Sequence, residues 1–156
     1  MVSIMTVNVD QLKKLRKQTQ AGVADCRQAL EDTKGDYDKA RKLLENRGLE
    51  KASKKSGKTT TQGLIESYIH ANGKIGVLVE LKSETDFVAR NEEFRKLAHE
   101  IAMQIAAMDP KGIAELMASA YIRDASITIE QLVKSLIAKV GENVTISRFS
   151  RLAMGD

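Results

Sequence analysis

Two β-rich runs that flank an Asn-Gly pair constrain the fold of this chain more than any other feature. The first run is GLIESYIH, residues 63–70, and the second is KIGVLVELKS, residues 74–83. Asn72-Gly73 lies between them and is a strong signal for a β-hairpin, because these residue types accept the positive φ of tight hairpin turns. In the second run the apolar residues alternate: Ile75, Val77, Val79 and Leu81. This period of two predicts an antiparallel strand with one buried face.

The residues before this hairpin have a helical periodicity instead. Asn8 can cap a first helix, a second helix follows Gly22, and a third begins after Asp36 and faces inward until Gly48. Apolar residues in these segments recur at helical spacing and are expected to face inward: Val9, Leu12, Leu15, Val23, Cys26, Leu30, Tyr37, Ala40, Leu43 and Leu44. The pattern predicts a three-helix domain over residues 1–50, whose small core favours docking over internal chemistry.

The residues after the hairpin predict further helices. Asn91 can cap a long amphipathic helix with apolar residues at intervals of 3, 4, 4 and 3: Phe94, Leu97, Ile101, Ile105 and Met108. A short helix is expected to begin at Pro110, where a missing N–H is tolerated. Thr128 and Gln131 have the spacing of a capping box, which predicts the start of one more helix.

The last strand completes the predicted fold. NVTISRFSRL, residues 143–152, alternates imperfectly around Arg148, which indicates a β-bulge. The expected fold class is α+β, with a three-stranded antiparallel sheet packed with helices over residues 63–156. The segment EKASKKSGKTTTQ has no apolar periodicity, and we interpret it as a charged helical extension that decays into a linker, which we assign to residues 51–62.

Charge is unevenly distributed along the chain. Residues 1–62 hold 14 Lys and Arg against 8 Asp and Glu, whereas residues 63–156 hold 11 against 13. A basic segment is compatible with a nucleic-acid partner or with an acidic protein partner. Residues 1–62 contain one aromatic residue, Tyr37, so few side chains are available to stack on nucleic-acid bases. A basic nucleic-acid-binding protein is therefore the alternative function rather than the favoured one.

Composition argues against several classes of site. No apolar run approaches the ~18 residues of a membrane span, and the first residues show no secretory signal. The single cysteine, Cys26, cannot form an internal disulfide, so a cytoplasmic location is expected. His70 and His99, without CxxC or HExxH, predict no metal site, and no motif calls for a cofactor.

One short match to a nucleotide-binding pattern lies in the linker. ASKKSGKT, residues 52–59, fits the phosphate-binding P-loop when Ala is allowed first. A P-loop works because a strand delivers the turn to the N-terminus of a helix. Here a predicted helix end precedes the match and TTTQG follows it. We therefore expect no direct binding of ATP or GTP.

The segment ETDFVARN, residues 84–91, is harder to explain as packing alone. It follows a clean strand and places an acid and a large aromatic, Asp86 and Phe87, where the chain turns into a helix. Phe87 can fold back into the core, or it can project outward as a rigid apolar anchor for a partner. The local pattern leaves both orientations open.

Three motifs together resemble, in this order, the signatures of the bacterial elongation factor Ts family: LKKLRKQTQAGVADCRQAL, TDFVARNEEF and AKVGENVTISRF. The resemblance covers nearly the whole chain. It implies that the three-helix domain is of the ubiquitin-associated type and that the chain is a guanine nucleotide exchange factor for elongation factor Tu. Such a factor makes no covalent bond, so the resemblance implies no enzyme and no catalytic residue. It also implies a homodimer joined through the core sheets, as in short members of the family.

The resemblance assigns partner-binding residues. Thr85, Asp86, Phe87 and Val88 match the segment that disturbs magnesium binding in elongation factor Tu. Arg16 matches the arginine of the N-terminal motif that contacts the nucleotide domain of that partner.

The chain also departs from the family pattern. Val23 and Ala24 stand where the family often has two methionines of the N-terminal contact surface, and Gln20 stands where a glycine is usual. Between Pro110 and Thr128 a helical insertion is missing. The core motif is intact, so these departures affect the N-terminal contact first.

Overall fold

The structure, a computed structural model, describes residues 7–156. The chain forms two compact units that divide between Lys51 and Ala52. Each unit has its own buried apolar core.

The first unit contains three helices, α1 (Val9–Thr19), α2 (Val23–Asp32) and α3, which begins at Tyr37. Asn8 caps α1 as predicted, since its Oδ1 accepts a hydrogen bond from the Asp10 N–H at 2.9 Å. The Asp36 carboxylate accepts from the Lys39 N–H at 3.1 Å and caps α3. The core consists of Leu15, Cys26, Ala29, Leu30, Ala40 and Leu44.

The third helix is expected to end its inward-facing part at Gly48 and to pass into a charged helical extension, and in the structure α3 continues through Gly48 to Ser53. Two ion pairs to α2 stabilise its second half: Arg47 with Asp32 at 2.8 Å and Lys51 with Asp25 at 3.2 Å. A glycine inside a helix costs only about 1 kcal/mol relative to alanine. Gly48 is therefore tolerated within the helix and does not terminate it.

The second unit contains the predicted three-stranded antiparallel sheet, in the order β1-β2-β5. Its strands are β1 (Gln62–Ile69), β2 (Ile75–Ser83) and β5 (Val144–Ala153). Glu80 pairs with Arg148 while Leu81 pairs with Ile146, so one additional residue of β5 lies between them. The bulge expected near Arg148 is confirmed.

Helices cover one face of this sheet. The unit contains α4 (Asp86–Ala89), α5 (Glu92–Met108), α6 (Ile113–Ala118) and α7 (Ile129–Val140). The apolar stripe of α5 packs into the core as predicted except at Met108, which is 51% exposed. The capping box of Thr128 and Gln131 is present, and Gly141 ends α7 at φ 75°.

Two features differ from the predictions. The short helix begins at Ile113 and not at Pro110, because Asp109 adopts a left-handed conformation that ends α5 and Gly112 becomes the N-cap. A small second sheet, β3 (Ala120–Tyr121) and β4 (Asp124–Thr128), was not predicted. The buried Gln104 side chain holds it, donating to the Ala120 carbonyl and accepting from the Ile122 N–H.

The face of the main sheet opposite α5 carries an exposed apolar patch, which we call the outer sheet face. Strand register places side chains of β1, β2 and β5 together on it. Its exposed apolar members are Ile65, Ile69, Leu78 and Leu152. The Glu80–Arg148 ion pair, at 3.1 Å, lies on the same face.

Candidate functional site

The candidate site is the corner between β2 and α4, residues 85–88, which we call the TDFV corner. Thr85 has extended φ and ψ and is the N-cap of α4, and its Oγ1 accepts from the Val88 N–H at 3.5 Å. The fully buried Ser83 donates its hydroxyl to the Thr85 carbonyl at 2.8 Å. These local bonds turn the chain sharply from the strand into a short helix.

The structure resolves the orientation of Phe87, which projects outward and is 85% exposed. The next two residues, Val88 and Ala89, are each 4% exposed and belong to the core. Their burial fixes the rotation of the single helical turn, so Phe87 must face away from the core. The corner thus presents a large rigid apolar side chain on a supported backbone.

Asp86 lies beside Phe87 and is paired within the same turn. Its carboxylate contacts the Arg90 guanidinium at 2.7 Å, and both side chains are exposed. Such exposed pairs contribute only about 0.3–0.5 kcal/mol, so Asp86 can exchange Arg90 for another partner at little cost. The sequence analysis did not single out Arg90, although the spacing of four residues signals the pair.

A second residue that the sequence analysis missed reaches the corner from the other end of the unit. Glu142 follows α7, and its carboxylate accepts from the Thr85 N–H at 3.0 Å and from the Thr85 hydroxyl at 2.7 Å. The two residues are 57 positions apart. No local sequence pattern signals this contact, although Thr85 and Glu142 belong to two of the motifs that carry the family resemblance.

The N-terminal candidates lie on the surface of the first unit. Arg16 is exposed in the last turn of α1, and Val23 and Ala24 are exposed in the first turn of α2. Burial raises the pKa of the Cys26 thiol in α2, and the positive charge of Arg16 acts in the opposite direction. Arg16 is therefore close to α2, and α1 and α2 together present these candidates.

The backbone conformation at Gln20 shows why a glycine is usual at this position in the family. Gln20 ends α1 in a left-handed conformation with φ 57° and ψ 11°, and its backbone N–H donates to the Arg16 carbonyl. Glycine adopts this conformation without steric cost. The glycine that is usual at this position thus matches the local geometry better than Gln20 does.

The segment that matches the P-loop pattern follows a helix and precedes a strand, which is the opposite of the order in a P-loop. Ala52 and Ser53 are the last residues of α3, residues 54–58 form turns and a bend, and β1 then begins at Gln62. A P-loop requires a strand before the turn and a helix after it. The segment therefore does not form a helix N-terminus that could hold a phosphate.

Within residues 7–156, no group of three or more His, Cys, Asp and Glu side chains could hold a metal ion. Over the same residues, no helix is both long enough and apolar enough to cross a membrane.

An exposed aromatic side chain on a supported corner is the arrangement of a factor that acts by binding another protein. Comparisons with known proteins identify the family. The family described as Elongation factor TS matches residues 84–156, a range that begins at the TDFV corner and ends beyond β5.

Relatives extend this match to nearly the whole chain. The chain is 36% identical to elongation factor Ts of Fervidobacterium nodosum, over 97% of this chain and 100% of that protein. It is 38% identical to that of Thermotoga neapolitana, over 97% of this chain and 99% of the relative. It is 40% identical to the chloroplastic elongation factor Ts of Guillardia theta, over 97% of this chain and 91% of that protein. The chain belongs to the elongation factor Ts family.

Members of this family are nucleotide exchange factors of elongation factor Tu, and this is the function of the chain in translation elongation. The matches give no support to the alternative of a basic nucleic-acid-binding protein. The alignments run over 195 to 200 positions, more than the 156 residues of the chain. The relatives therefore carry residues that this chain lacks.

Proposed function

We propose that the chain releases GDP from elongation factor Tu by inserting Phe87 into the partner beside its magnesium site. The observation that supports this proposal is the 85% exposure of Phe87 on a corner whose next two residues are buried. Burial of a phenylalanine side chain is favourable by about 1.5–3 kcal/mol, and the exposed Phe87 forgoes this free energy in the free chain. Its exposure is best explained by a partner that covers it.

Insertion at this position acts on the nucleotide through the metal. In a GTPase, Mg²⁺ bridges nucleotide phosphate oxygens and protein ligands, so displacing those ligands weakens nucleotide binding. A corner that binds best to the metal-free, nucleotide-free partner must lower nucleotide affinity by the same coupling free energy. Asp86 can compete for groups that order the magnesium site, because its ion pair with Arg90 is weak. The factor thus promotes exchange without bond-making chemistry, and we propose that it is not an enzyme in that sense.

The four residues of the TDFV corner have different roles in this proposal. Phe87 and Asp86 make the contacts with the partner because both side chains are exposed. Thr85 caps the helix that carries them. Val88 is 4% exposed, so it supports Phe87 from the core while the outer surface of the corner meets the partner.

The first unit is proposed to recruit elongation factor Tu. Arg16 supplies a charge-assisted donor for the nucleotide domain of the partner, and Val23 and Ala24 supply a smaller apolar contact than two methionines would. We propose that residues 1–50 form this ubiquitin-associated-like domain, residues 51–62 a linker, and residues 63–156 the exchange and dimerisation core.

The chain is further proposed to form a homodimer that binds two copies of elongation factor Tu. The outer sheet face exposes Ile65, Ile69, Leu78 and Leu152, with exposures of 61%, 64%, 52% and 79%. Exposed apolar side chains gathered on one face of a sheet mark an interaction surface. The strands β1 and β5 are the edges of this small sheet, and a second copy that reaches them would also protect these edges.

Several expected absences complete the proposal. We expect the factor to act in the cytoplasm without a cofactor or metal of its own, and without nucleic acid, membrane or directly bound nucleotide as partner. The reversed context of residues 52–59 supports the last expectation.

One experiment tests the proposed function directly. Elongation factor Tu is loaded with fluorescent GDP, excess unlabelled GDP is added, and fluorescence loss is followed with and without this chain. A rate that rises with the concentration of the chain and then saturates supports exchange through a complex. A rate that stays at the spontaneous value at every concentration contradicts the proposal.

A further inference from the structure

Two carboxylates, one from each side, connect the TDFV corner by hydrogen bonds to the turn after α7. Glu142 accepts hydrogen bonds from the backbone N–H and the hydroxyl of Thr85, at 3.0 and 2.7 Å. In the opposite direction, Glu84 accepts a bond from the Asn143 N–H at 2.7 Å. Residues 84 and 85 are therefore joined to residues 142 and 143 by charge-assisted bonds in both directions.

The turn that supplies Glu142 is itself held in place. Gly141 ends α7 with φ 75°, which directs the chain toward the corner. The Asn143 side chain is 2% exposed and donates to the Lys58 carbonyl at 2.7 Å and to the Ser56 carbonyl at 3.4 Å. Glu142 thus approaches Thr85 from a rigid support and not from a free loop.

The contact acts on the residue that determines the direction of α4. The Thr85 hydroxyl donates its proton to Glu142, and its oxygen remains available to accept from the Val88 N–H. Glu142 therefore orients the N-cap of a helix of only four residues, Asp86–Ala89. So short a helix has almost no stability of its own, and Phe87 occupies its second position.

We infer that Glu142 is a positioning residue for nucleotide exchange, whose carboxylate holds Thr85 so that Phe87 is presented in one fixed orientation. This inference rests on the proposed role of Phe87 in exchange. Val88 and Ala89 keep Phe87 on the outer side of the corner, but without the carboxylate the N-terminal end of α4 is held less firmly, and fewer encounters with elongation factor Tu insert the ring.

The test uses the full chain with Glu142→Ala and with Glu142→Gln, which keeps the shape but offers one acceptor oxygen where the geometry uses two. Glu130→Ala is the matched control, because Glu130 is a glutamate in the first turn of α7 whose side chain pairs only with Lys134 of the same helix among the ion pairs described, at 2.9 Å. Each variant is measured for GDP release from elongation factor Tu, for melting temperature, and for amide hydrogen exchange at residues 85–88.

We expect Glu142→Ala to slow GDP release about fivefold or more, while Glu130→Ala keeps the rate of the unmodified chain. Amide exchange at residues 85–88 should accelerate in Glu142→Ala and, to a smaller extent, in Glu142→Gln. In a background that already carries Phe87→Ala, Glu142→Ala should cause no further loss, since both residues act through the same ring. This last result separates positioning from a general loss of stability, which would lower the rate in either background.

Other outcomes overturn the inference. A GDP release rate for Glu142→Ala equal to that of Glu130→Ala would do so, as would an equal further loss in the Phe87→Ala background. If Glu142→Ala does not fold, the same criteria apply to Glu142→Gln. If the unmodified chain fails to accelerate GDP release, the proposed function is wrong. Amide exchange then tests the Glu142 contact by itself: if exchange at residues 85–88 is unchanged in Glu142→Ala, the carboxylate does not support the corner.

Discussion

Gly63 lies directly against the backbone of Leu81 on the neighbouring strand. A Cβ atom built on Gly63 would come within 2.1 Å of the Leu81 carbonyl oxygen and 2.8 Å of the Lys82 Cα. Gly63 also has φ of 151°, which side chains rarely adopt. The close approach of β1 and β2 at the end of the sheet nearest the TDFV corner therefore depends on glycine.

We predict that Gly63→Ala destabilises the chain by about 2–4 kcal/mol, because the obstructing atoms are backbone and cannot move aside. Gly112→Ala is the control, since a Cβ there meets nothing within 4 Å and its φ is not positive. Thermal or urea unfolding of both variants measures the difference. Equal stabilities would show that the strands separate without cost.

Gln20→Gly is predicted to stabilise the first unit. Gln20 ends α1 with φ 57°, a conformation that costs a side chain about 1 kcal/mol or more relative to glycine. Part of this gain is offset by the greater freedom of glycine in the unfolded chain, which leaves about 0.5–1 kcal/mol. Urea unfolding followed by circular dichroism tests this value, and a loss of stability would show that the Gln20 side-chain bond to the Lys17 carbonyl matters more than the backbone strain.

The features that were predictable from the sequence are those that a local pattern encodes. Alternation from Ile75 to Leu81 gave the central strand, and the break in alternation at Arg148 located a bulge, because the period of a strand is strict. The N-caps Asn8 and Asn91 were recognisable because a capping side chain bonds only to its own first turn.

The features that were not predictable depend on distant contacts. β3 and β4 are short, and they are held by the buried amide of Gln104, which precedes them by 15 or more positions. The outward orientation of Phe87 follows from the burial of Val88 and Ala89, which only the assembled core determines. The Glu142 contact spans 57 positions and has no periodic signature.

Arg16→Ala is predicted to weaken the complex with elongation factor Tu about tenfold, by removing charge-assisted hydrogen bonds. The maximal rate of GDP release should stay the same, because recruitment and insertion are assigned to different units. Titration of the GDP release rate against factor concentration separates the two quantities. Arg41→Ala is the control, since Arg41 is another exposed arginine of the first unit, paired with Glu45; equal affinities for the two variants would contradict the assignment.

Leu78→Lys is predicted to prevent formation of the proposed homodimer and to leave a monomer. Leu78 is 52% exposed in the middle of the outer sheet face, where a charge would face the second copy. Met108→Lys has nearly the same exposure, 51%, at the end of α5, and should leave the dimer intact. Light scattering reports the mass, and a mass of 17.2 kDa for the unmodified chain at working concentration would exclude the proposed dimer.

Phe87→Ala is predicted to slow GDP release from elongation factor Tu by at least about tenfold, which corresponds to ~1.4 kcal/mol of lost coupling. Its folded state should keep its melting temperature, because a side chain that is 85% exposed contributes little to the core. Phe94→Ala is the matched control: the same substitution at a fully buried ring should cost about 3–5 kcal/mol of stability and lower exchange only as folded protein is lost. Melting temperature and GDP release measured on the same samples therefore distinguish an inserted ring from a packed one. A folded Phe87→Ala chain with full exchange activity would remove Phe87 from the mechanism and leave the exposed ring without a role.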